Sequence, residues 1–383
     1  MIIRNALIHD AVHPEPFRGD ILIENGKLVS VGPKTDREDE EILDASGLHA
    51  YPGFVDAHSH IGLDGYGGPT GTTFDYNEMN DILSPQLRGM DSYYAQDAAI
   101  PMALEGGVTS VATGPGSANV LGGTFLAVKL RGNTVEEAMI NPAVAMKCAF
   151  GENPKRCYKD KSDSTRMTTA AKLRQILFEA RDYMLRKEAA GDDITKQPKF
   201  DMKMEALIPV LKREIPLKAH AHRSDDIMTA LRIAKEFDLK ITIEHCTEGH
   251  LIVNELKAAG VPVAVGPTLT NASKLELLNK SWTTPGVLAK AGLQVSIITD
   301  APVIPQQFLP LCAGLAVKAG MDPFKALQAI TINPARHIGI EDRVGSLEAG
   351  KDADVVLTDG DPMVSDTCVK YVIVDGKVLV KNA

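Results

Sequence analysis

The chain has 383 residues, of which 44% are hydrophobic and 24% charged, so it can bury a large core and lacks the composition of a disordered protein. Its 41 Lys and Arg residues against 50 Asp and Glu residues give a formal net charge of −9. An acidic chain without a Lys/Arg-rich run is a poor candidate for binding nucleic acid or an anionic membrane surface. We therefore expect a small-molecule substrate and no nucleic-acid or membrane partner. Assembly into a homo-oligomer is left open.

The amino terminus and the cysteines predict a cytoplasmic protein. Residues 1–16 lack the continuous apolar segment and the small-residue cleavage site of a signal peptide. No apolar run approaches the roughly 18 residues of a membrane span. The five cysteines are scattered and show no C-x-x-C spacing, which fits a reducing compartment.

Both ends of the chain carry short β-rich runs separated by turn signals. Asn25-Gly26 separates two apolar runs near the start, and Asp375-Gly376 separates two near the end. Each terminal segment is too short to enclose its own core. We therefore predict that residues 1–50 and 340–383 together form one composite β-sandwich.

Between these ends, residues 51–339 alternate short apolar strands with helical stretches, the pattern of parallel βα units. Eight candidate strands begin near residues 53, 108, 124, 143, 216, 241, 261 and 295. Eight strands and this length suit a TIM-like (β/α)8 barrel, so the predicted fold class is α/β, a barrel plus the small sandwich. The carboxyl ends of the strands should then line the active site.

Histidines and an aspartate mark these strand ends. His58 and His60 follow the first strand two residues apart, which on a strand points both imidazoles to one side. A set of this kind at one end of a barrel predicts a divalent metal site. The other members lie at the ends of strands 5, 6 and 8, namely His220 with His222, His245, and Asp300.

These residues make the chain similar to the amidohydrolase superfamily. The likeness includes P-G-F-V-D-A-H-S-H at 52–60, the later strand-end residues, and G-S-L-E-A-G-K-D-A-D-V-V-L at 345–357. Within the superfamily, the chain most resembles the imidazolonepropionase-related group and metal-dependent dipeptidases. The resemblance implies a barrel with a sandwich built from both termini, and it implies as metal ligands His58, His60, His220, His245 and Asp300.

Lys147 lies in an apolar strand, where a free ammonium would be costly to bury without a partner. In binuclear members of the superfamily, a lysine at this place reacts with CO2 to form a carbamate that bridges two metals. The resemblance therefore implies a carboxylated Lys147 as a further ligand. The alternatives are a lysine paired with Glu152 or another carboxylate, a side chain that turns to solvent, or Glu152 itself as the bridging carboxylate.

Two residues are predicted to act in catalysis. Asp300, as a ligand that also contacts the attacking water, is the candidate general base; the alternative is a helix cap. His222 is expected to orient the substrate, stabilise the oxyanion or hold a ligand from behind. The cofactor would be one or two divalent ions, with zinc expected first and manganese, iron or nickel as alternatives.

Substrate-binding residues are predicted in the long loops after the strands. The Gly-rich loop after the first strand offers Tyr66, and the segment near the third strand offers Asn119. The basic loop after Lys147 offers Arg156 or Arg166 as the partner of an acidic substrate group, and the alternative is a solvated charged loop.

The sequence thus predicts a hydrolase that cleaves a C–N bond in an amide, a cyclic amide or an N-acyl amino acid or dipeptide. A second interpretation is a mononuclear enzyme of the imidazolonepropionase type, which needs no bridging lysine. A third is a catalytically silent scaffold, which the complete set of candidate ligands disfavours.

Overall fold

A computed structural model describes residues 1–33, 35, 37, 41–64, 66, 75–158 and 164–382. The loop after the first barrel strand and the basic loop after Lys147 therefore lie partly outside the described residues. In the described part, the strands are β1 (Ile2–Ile8), β2 (Phe17–Glu24), β3 (Lys27–Gly32), β4 (Ile42–Asp44), β5 (His49–Pro52), β6 (Phe54–Ser59), β7 (Val108–Thr113), β8 (Leu121–Lys129), β9 (Met139–Ala149), β10 (Leu217–Ala221), β11 (Ile241–His245), β12 (Val263–Val265), β13 (Val295–Ile297), β14 (Val355–Thr358), β15 (Val369–Val374) and β16 (Lys377–Lys381).

The helices lie between and after the strands of the middle segment. They are α1 (Ala99–Glu105), α2 (Val135–Ala138), α3 (Glu152–Cys157), α4 (Arg166–Ala190), α5 (Met202–Leu211), α6 (Ser224–Phe237), α7 (Val253–Ala259), α8 (Thr283–Lys290), α9 (Leu309–Lys318), α10 (Pro323–Gln328) and α11 (Ile332–His337). Short 3-10 turns occur at Gly89–Asp91, Gly249–Leu251, Leu275–Leu277 and Gln306–Phe308. In the part of the chain that the structure describes, no helix combines the length and the apolar composition that a membrane crossing requires.

Eight strands form one nearly closed sheet in the order β6 to β13, consistent with the predicted TIM-like barrel. All eight coincide with the strands predicted from the sequence. Strands β6, β7, β10, β11, β12 and β13 are buried along their whole length, as expected where helices cover the outside of a barrel. Asp56 on β6 accepts hydrogen bonds from the amide and the hydroxyl of Thr299, just after β13, and so joins the two ends of the sheet.

The prediction of parallel strands is wrong at β8, which runs antiparallel to both β7 and β9. A parallel connection needs a crossover of about a dozen residues or more, and only residues 114–120 separate β7 from β8. The chain therefore turns back directly. As a result, the first residues of β8, rather than its last, lie at the end of the barrel that holds the strand-end histidines.

Helix α4 spans 25 residues and buries one of its faces. Its first turn is capped by the Thr165 hydroxyl, which accepts a hydrogen bond from the amide of Thr168. The helix ends at Gly191, whose φ of +53° suits glycine. The face that it buries carries Leu173, Ile176, Leu177, Ala180 and Tyr183.

The strands of both chain ends join in a second eight-stranded sheet, in the order β16-β15-β14-β5-β1-β2-β3 with β4 beside β1. Strand β5 carries the junction, because it pairs with β1 on one side and with β14 on the other. The two termini therefore meet as predicted, while a two-layered sandwich and the boundaries at residues 50 and 340 stay predictions. This sheet has a core of its own, to which both ends contribute, with Ile3, Ile21, Ala50, Val355 and Ile373 among its buried side chains.

A buried ion cluster ties this sheet to the barrel. Lys129, at the end of β8, is fully buried, and its ammonium lies 2.8 Å from Asp352 and 2.9 Å from Asp354. It also contacts Asp375 in the turn between β15 and β16. Asp352 is paired in addition with Lys27 at 2.6 Å, so that four separate segments meet at this junction.

Candidate metal centre

Two groups of three side chains converge at one end of the barrel. His58, His60 and Asp300 form the first triad, at the ends of β6 and β13. The second triad lies at the ends of β10 and β11. It consists of His220, His222 and His245. Within each triad, one ligand atom per residue lies within 4.8 Å of the others.

The sequence brings these residues together because the carboxyl ends of neighbouring parallel strands share one edge of the sheet. His220 on β10 and His245 on β11 lie on directly paired strands, and their ring centroids are 4.3 Å apart. His58 lies 5.0 Å from His245, centroid to centroid, so the two triads share one space. The five strand-end residues predicted as metal ligands therefore all border this space, and His222 borders it as well.

Lys147 on β9 lies beside the first triad. Its side chain is fully buried, and Nζ is 3.0 Å from Nε2 of His58. Burial lowers the pKa of Lys147 to about 8. The side chain does not reach solvent, and Glu152 instead pairs with Arg166 at 3.1 Å and with Lys155 at 3.7 Å.

The histidines are held so that one ring nitrogen faces the shared space. Nδ1 of His60 lies 2.7 Å from the Gly114 carbonyl oxygen, and Nδ1 of His245 lies 2.8 Å from that of Gly266. Because a carbonyl can only accept, each Nδ1 carries a hydrogen, and Nε2 of each ring is left to face the shared space.

The protonation states suit metal binding. Burial lowers the pKa of His58, His220 and His222 well below the usual value, and it lowers the pKa of His245 to about 4. In the described structure, both ring nitrogens of His220 and Nε2 of His245 are buried without a hydrogen-bond partner. Buried polar atoms normally have partners, so this donor set fits a divalent cation.

Asp300 completes the first triad. One carboxylate oxygen lies 3.3 Å from Nε2 of His60 and 3.6 Å from Nε2 of His58. Burial alone would raise the pKa of Asp300, but His245 and His60 lower it below its usual range, so the carboxylate is ionised. Asp300 has φ of 54° and His245 has φ of 71°, left-handed conformations that non-glycine residues seldom adopt outside constrained sites.

Sequence reasoning missed Glu244, which lies directly behind His58. Its carboxylate is fully buried and accepts hydrogen bonds from Nδ1 of His58 at 2.9 Å and from Nζ of Lys218 at 2.8 Å. His337 and Thr242 also bond to it, at 2.7 and 2.6 Å. A signal was present, since an acid inside the apolar run I-T-I-E-H must find buried partners.

A cavity of about 370 Å³ opens from the two triads to the surface. Its wall includes His60, His222 and Asp300, with residues of the loops after β6, β9, β12 and β13. The loop after β12 contributes Lys274, which sequence reasoning also missed. Its ammonium lies 2.7 Å from the buried carboxylate of Glu276, the other missed residue of this loop.

The four predicted substrate residues lie in different surroundings. Arg156 lines the cavity, whereas the half-exposed Tyr66 lines a smaller neighbouring one. Asn119 is buried and donates to the Asp81 carbonyl and the Tyr158 hydroxyl. Arg166 lies 3.0 Å from a carboxylate oxygen of Asp226 and also contacts Glu152, so its guanidinium is already paired.

A nearly closed α/β barrel with clustered histidines, an ionised aspartate and a buried lysine at one end defines a barrel protein with a candidate metal centre. The amidohydrolase family model matches residues 50–379. The chain therefore belongs to the amidohydrolase family.

Individual relatives agree with this membership. A solved amidohydrolase structure from Thermotoga maritima MSB8 shares 42% identity over the whole of both chains, with a TM-score of 0.96. The amidohydrolase tasK of Hapsidospora irregularis is 30% identical over 94% of this chain, although the chain spans only 39% of that protein. A dihydroorotase of Elusimicrobium minutum is 24% identical over 94% of this chain and 88% of its own length.

Proposed function

We propose that the chain is a metal-dependent hydrolase that cleaves a C–N bond in an amide, a cyclic amide or an N-acyl amino acid or dipeptide. The observation that carries this proposal is the meeting of the two triads around Lys147, with buried ring nitrogens that lack partners in the described structure. The similarity to a dihydroorotase supports a C–N bond as the target. One or two divalent ions held by these residues would supply an activated water and polarise the scissile carbonyl.

Asp300 acts as the general base in this proposal. Its carboxylate is ionised and lines the cavity, so it can accept a proton from the attacking water and pass it to the leaving nitrogen. His222 is fixed by the bond between its Nδ1 and the Thr247 hydroxyl, over 2.8 Å. Its Nε2 then faces the cavity, where it orients the substrate carbonyl.

The ligands in this proposal are His58, His60, Lys147 as a carbamate, His220, His245 and Asp300, with zinc as the expected metal. A mononuclear enzyme of the imidazolonepropionase type is the second candidate. Its basis is that either triad by itself supplies three donors. A single ion could therefore be held by one triad without the other. The cytoplasmic location and the homo-oligomer stay predictions.

The test is hydrolysis of a panel of cyclic amides, N-acyl amino acids and dipeptides by the protein loaded with zinc or manganese. Asp300→Asn should lower kcat by about 10² to 10⁴ on any compound that is cleaved. Metal content is measured beside activity, so that a lost ion is not mistaken for a lost base. A metal-free protein that gains no hydrolysis when zinc or manganese is added would instead favour the scaffold interpretation.

The same preparation separates the two enzyme candidates. About two ions per chain, falling to one in Lys147→Ala, supports the binuclear site. About one ion per chain, unaffected by Lys147→Ala, supports the mononuclear site.

A further inference from the structure

The wall of the cavity carries charges of opposite sign in different places. Among its described lining residues, Asp300 is the one carboxylate, and it belongs to the first triad. The two permanent cations of the wall are Arg156 and Lys274. Lys274 lies beside the second triad, with Nζ 3.5 Å from Nε2 of His222. The cavity therefore has an acidic side and a basic side.

Lys274 is held in place by short contacts, but its ammonium can still donate to a ligand. Two of its contacts are short, at 2.7 Å to Glu276 and 2.9 Å to the Asn153 side-chain oxygen. The third, to His222, lies at the limit of hydrogen bonding. The side chain is 20% exposed, so one N–H can turn to a ligand in the cavity.

Arg156 lines the same cavity as Lys274 and lies on helix α3, which also carries a partner of Lys274. Asn153 and Arg156 are three residues apart on this helix and so share a face, and Asn153 is the residue that bonds to Lys274. Burial raises the pKa of the Cys157 thiol, while the charges of Arg156 and Lys274 act on it in the opposite direction, as expected if both are near. Within the described ranges, no hydrogen bond or ion pair occupies the guanidinium of Arg156, which is exposed.

Two other described basic residues near helix α3 are already paired with acids. Arg166 is paired with Asp226 and Glu152, and Lys155 lies 3.7 Å from Glu152. The buried Glu276 carboxylate pairs with Lys274, lies 3.9 Å from Arg166 and accepts a hydrogen bond from the backbone amide of Glu152. Among the described residues, Arg156 is thus the cation of the cavity wall that has no ion-pair partner.

We propose that the substrate carries a carboxylate, and that Arg156 and Lys274 bind it on the basic side of the cavity, away from Asp300. Arginine can pair with a carboxylate through two parallel hydrogen bonds, and the lysine adds a point charge. This arrangement places the remainder of the substrate over the two triads and keeps like charges apart. The inference rests on the proposed function, because it names the substrate class of the same site.

A kinetic test compares N-acetyl-L-leucine with N-isopentylacetamide, which has the same acyl group and side chain but no carboxylate. The wild-type protein should prefer the acid in kcat/KM by about 10-fold or more. Arg156→Gln should remove about 10-fold of kcat/KM for the acid, mainly through KM, and leave the neutral compound within about twofold. Arg156→Lys should restore part of the preference, and Lys155→Gln, one residue away and already paired, should change neither substrate.

A binding test keeps the inference separate from the proposed function. Cys157 lines the cavity, so its alkylation by iodoacetamide, followed by peptide mass spectrometry on the metal-loaded protein, reports occupancy of the basic side. N-acetylglycine should slow alkylation of Cys157, and N-methylacetamide at the same concentration should not, while the exposed Cys368 stays equally reactive with both.

The outcomes divide cleanly. If none of the panel compounds is cleaved but N-acetylglycine protects Cys157 in the wild type and not in Arg156→Gln, the proposed function fails and the carboxylate site stands. Equal protection by both probes, or by neither, overturns the carboxylate site. An equal loss of kcat/KM for the acid and the neutral compound in Arg156→Gln overturns it as well.

Discussion

Glu244 accepts a hydrogen bond from Nδ1 of His58 over 2.9 Å, and this bond leaves Nε2 of His58 facing the first triad. The carboxylate is itself fixed by Lys218 at 2.8 Å and His337 at 2.7 Å. Burial alone would raise the pKa of Glu244, but the charge of Lys218 and the hydrogen bonds from His337 and His58 lower it well below its usual value. The ring of His58 is therefore oriented by an ionised group that the solvent does not reach.

From this relationship we expect Glu244→Gln to weaken metal binding by about 10-fold to 100-fold, the usual effect of removing such a supporting group. The measurement is competition with a coloured chelator at fixed pH. Glu205→Gln is the matched control, because Glu205 pairs with Lys187 at 2.6 Å, on the helices α4 and α5. Identical metal affinity in wild type and Glu244→Gln would show that the bond does not position the ligand.

Two of the buried lysines, Lys147 and Lys218, are expected to differ in reactivity. Their ammonium groups lie 5.4 and 5.3 Å from the centroid of the Phe125 ring. Lys218 is paired with the Glu244 carboxylate, whereas in the described structure the nearest polar contact of Lys147 is a ring nitrogen of His58. Lys147 is therefore the one expected to form a carbamate.

Protein prepared with ¹³C-labelled bicarbonate should show about one carbamate carbon signal per chain in its NMR spectrum, and Lys147→Met should lose it. Because Lys147→Met also removes a bridging ligand, bound metal should fall by about one ion per chain. A signal that persists in Lys147→Met would assign the carbamate elsewhere. A wild-type protein without the signal would remove the carbamate from the site.

The contacts of Lys129 lead us to expect that it stabilises the junction between the barrel and the terminal sheet. Removing one partner from a buried ion cluster leaves uncompensated charge, which typically costs about 3 to 5 kcal/mol. We expect a loss of this size in the free energy of unfolding for Lys129→Met, measured by urea denaturation. Lys196→Met is the control, since Lys196 is 74% exposed and its pair with Asp193 should contribute little. A change below about 1 kcal/mol in Lys129→Met would contradict this role.

Periodicity and residue type were sufficient to predict the strands and to place the strand-end histidines at one end of the barrel. All eight barrel strands are apolar runs with turn signals between them, and His58, His220 and His245 follow from parallel strands sharing an edge. The reversed direction of β8 was missed because a buried strand has the same composition in either direction. It could be deduced only from the short segment 114–120, which cannot hold a crossover.

Other features depend on contacts between distant segments, which a single sequence does not reveal. Lys218 and Glu244 are on neighbouring strands, but the use of Glu244 by His58 joins residues 186 positions apart. The different surroundings of Arg156 and Arg166 also depend on a contact with a distant segment. Both lie in one basic stretch, and only the position of Asp226 on α6 shows that Arg166 is paired while Arg156 faces the cavity.

Asp352, in the cluster around Lys129, predicts how stability depends on pH. Burial by itself would raise the pKa of Asp352, but hydrogen bonds from Lys129 and Lys27 lower it to about 2. A carboxylate whose pKa is lower in the folded than in the unfolded protein stabilises the fold above the unfolded value of about 4. That contribution is lost as the pH falls from about 4 through about 2.

We therefore expect Asp352→Asn to be less stable than wild type at pH 6 by about 1 to 2 kcal/mol, allowing for partial solvent screening of the cluster. The difference in unfolding free energy between the two proteins should shrink as the pH falls from about 4 to about 2, because the wild-type carboxylate then takes up a proton. Urea denaturation of the metal-free proteins across this range measures it, and Asp366→Asn, at an exposed position, controls for the loss of one negative charge. A difference that stayed constant or grew on acidification would mean that Asp352 does not contribute through its charge.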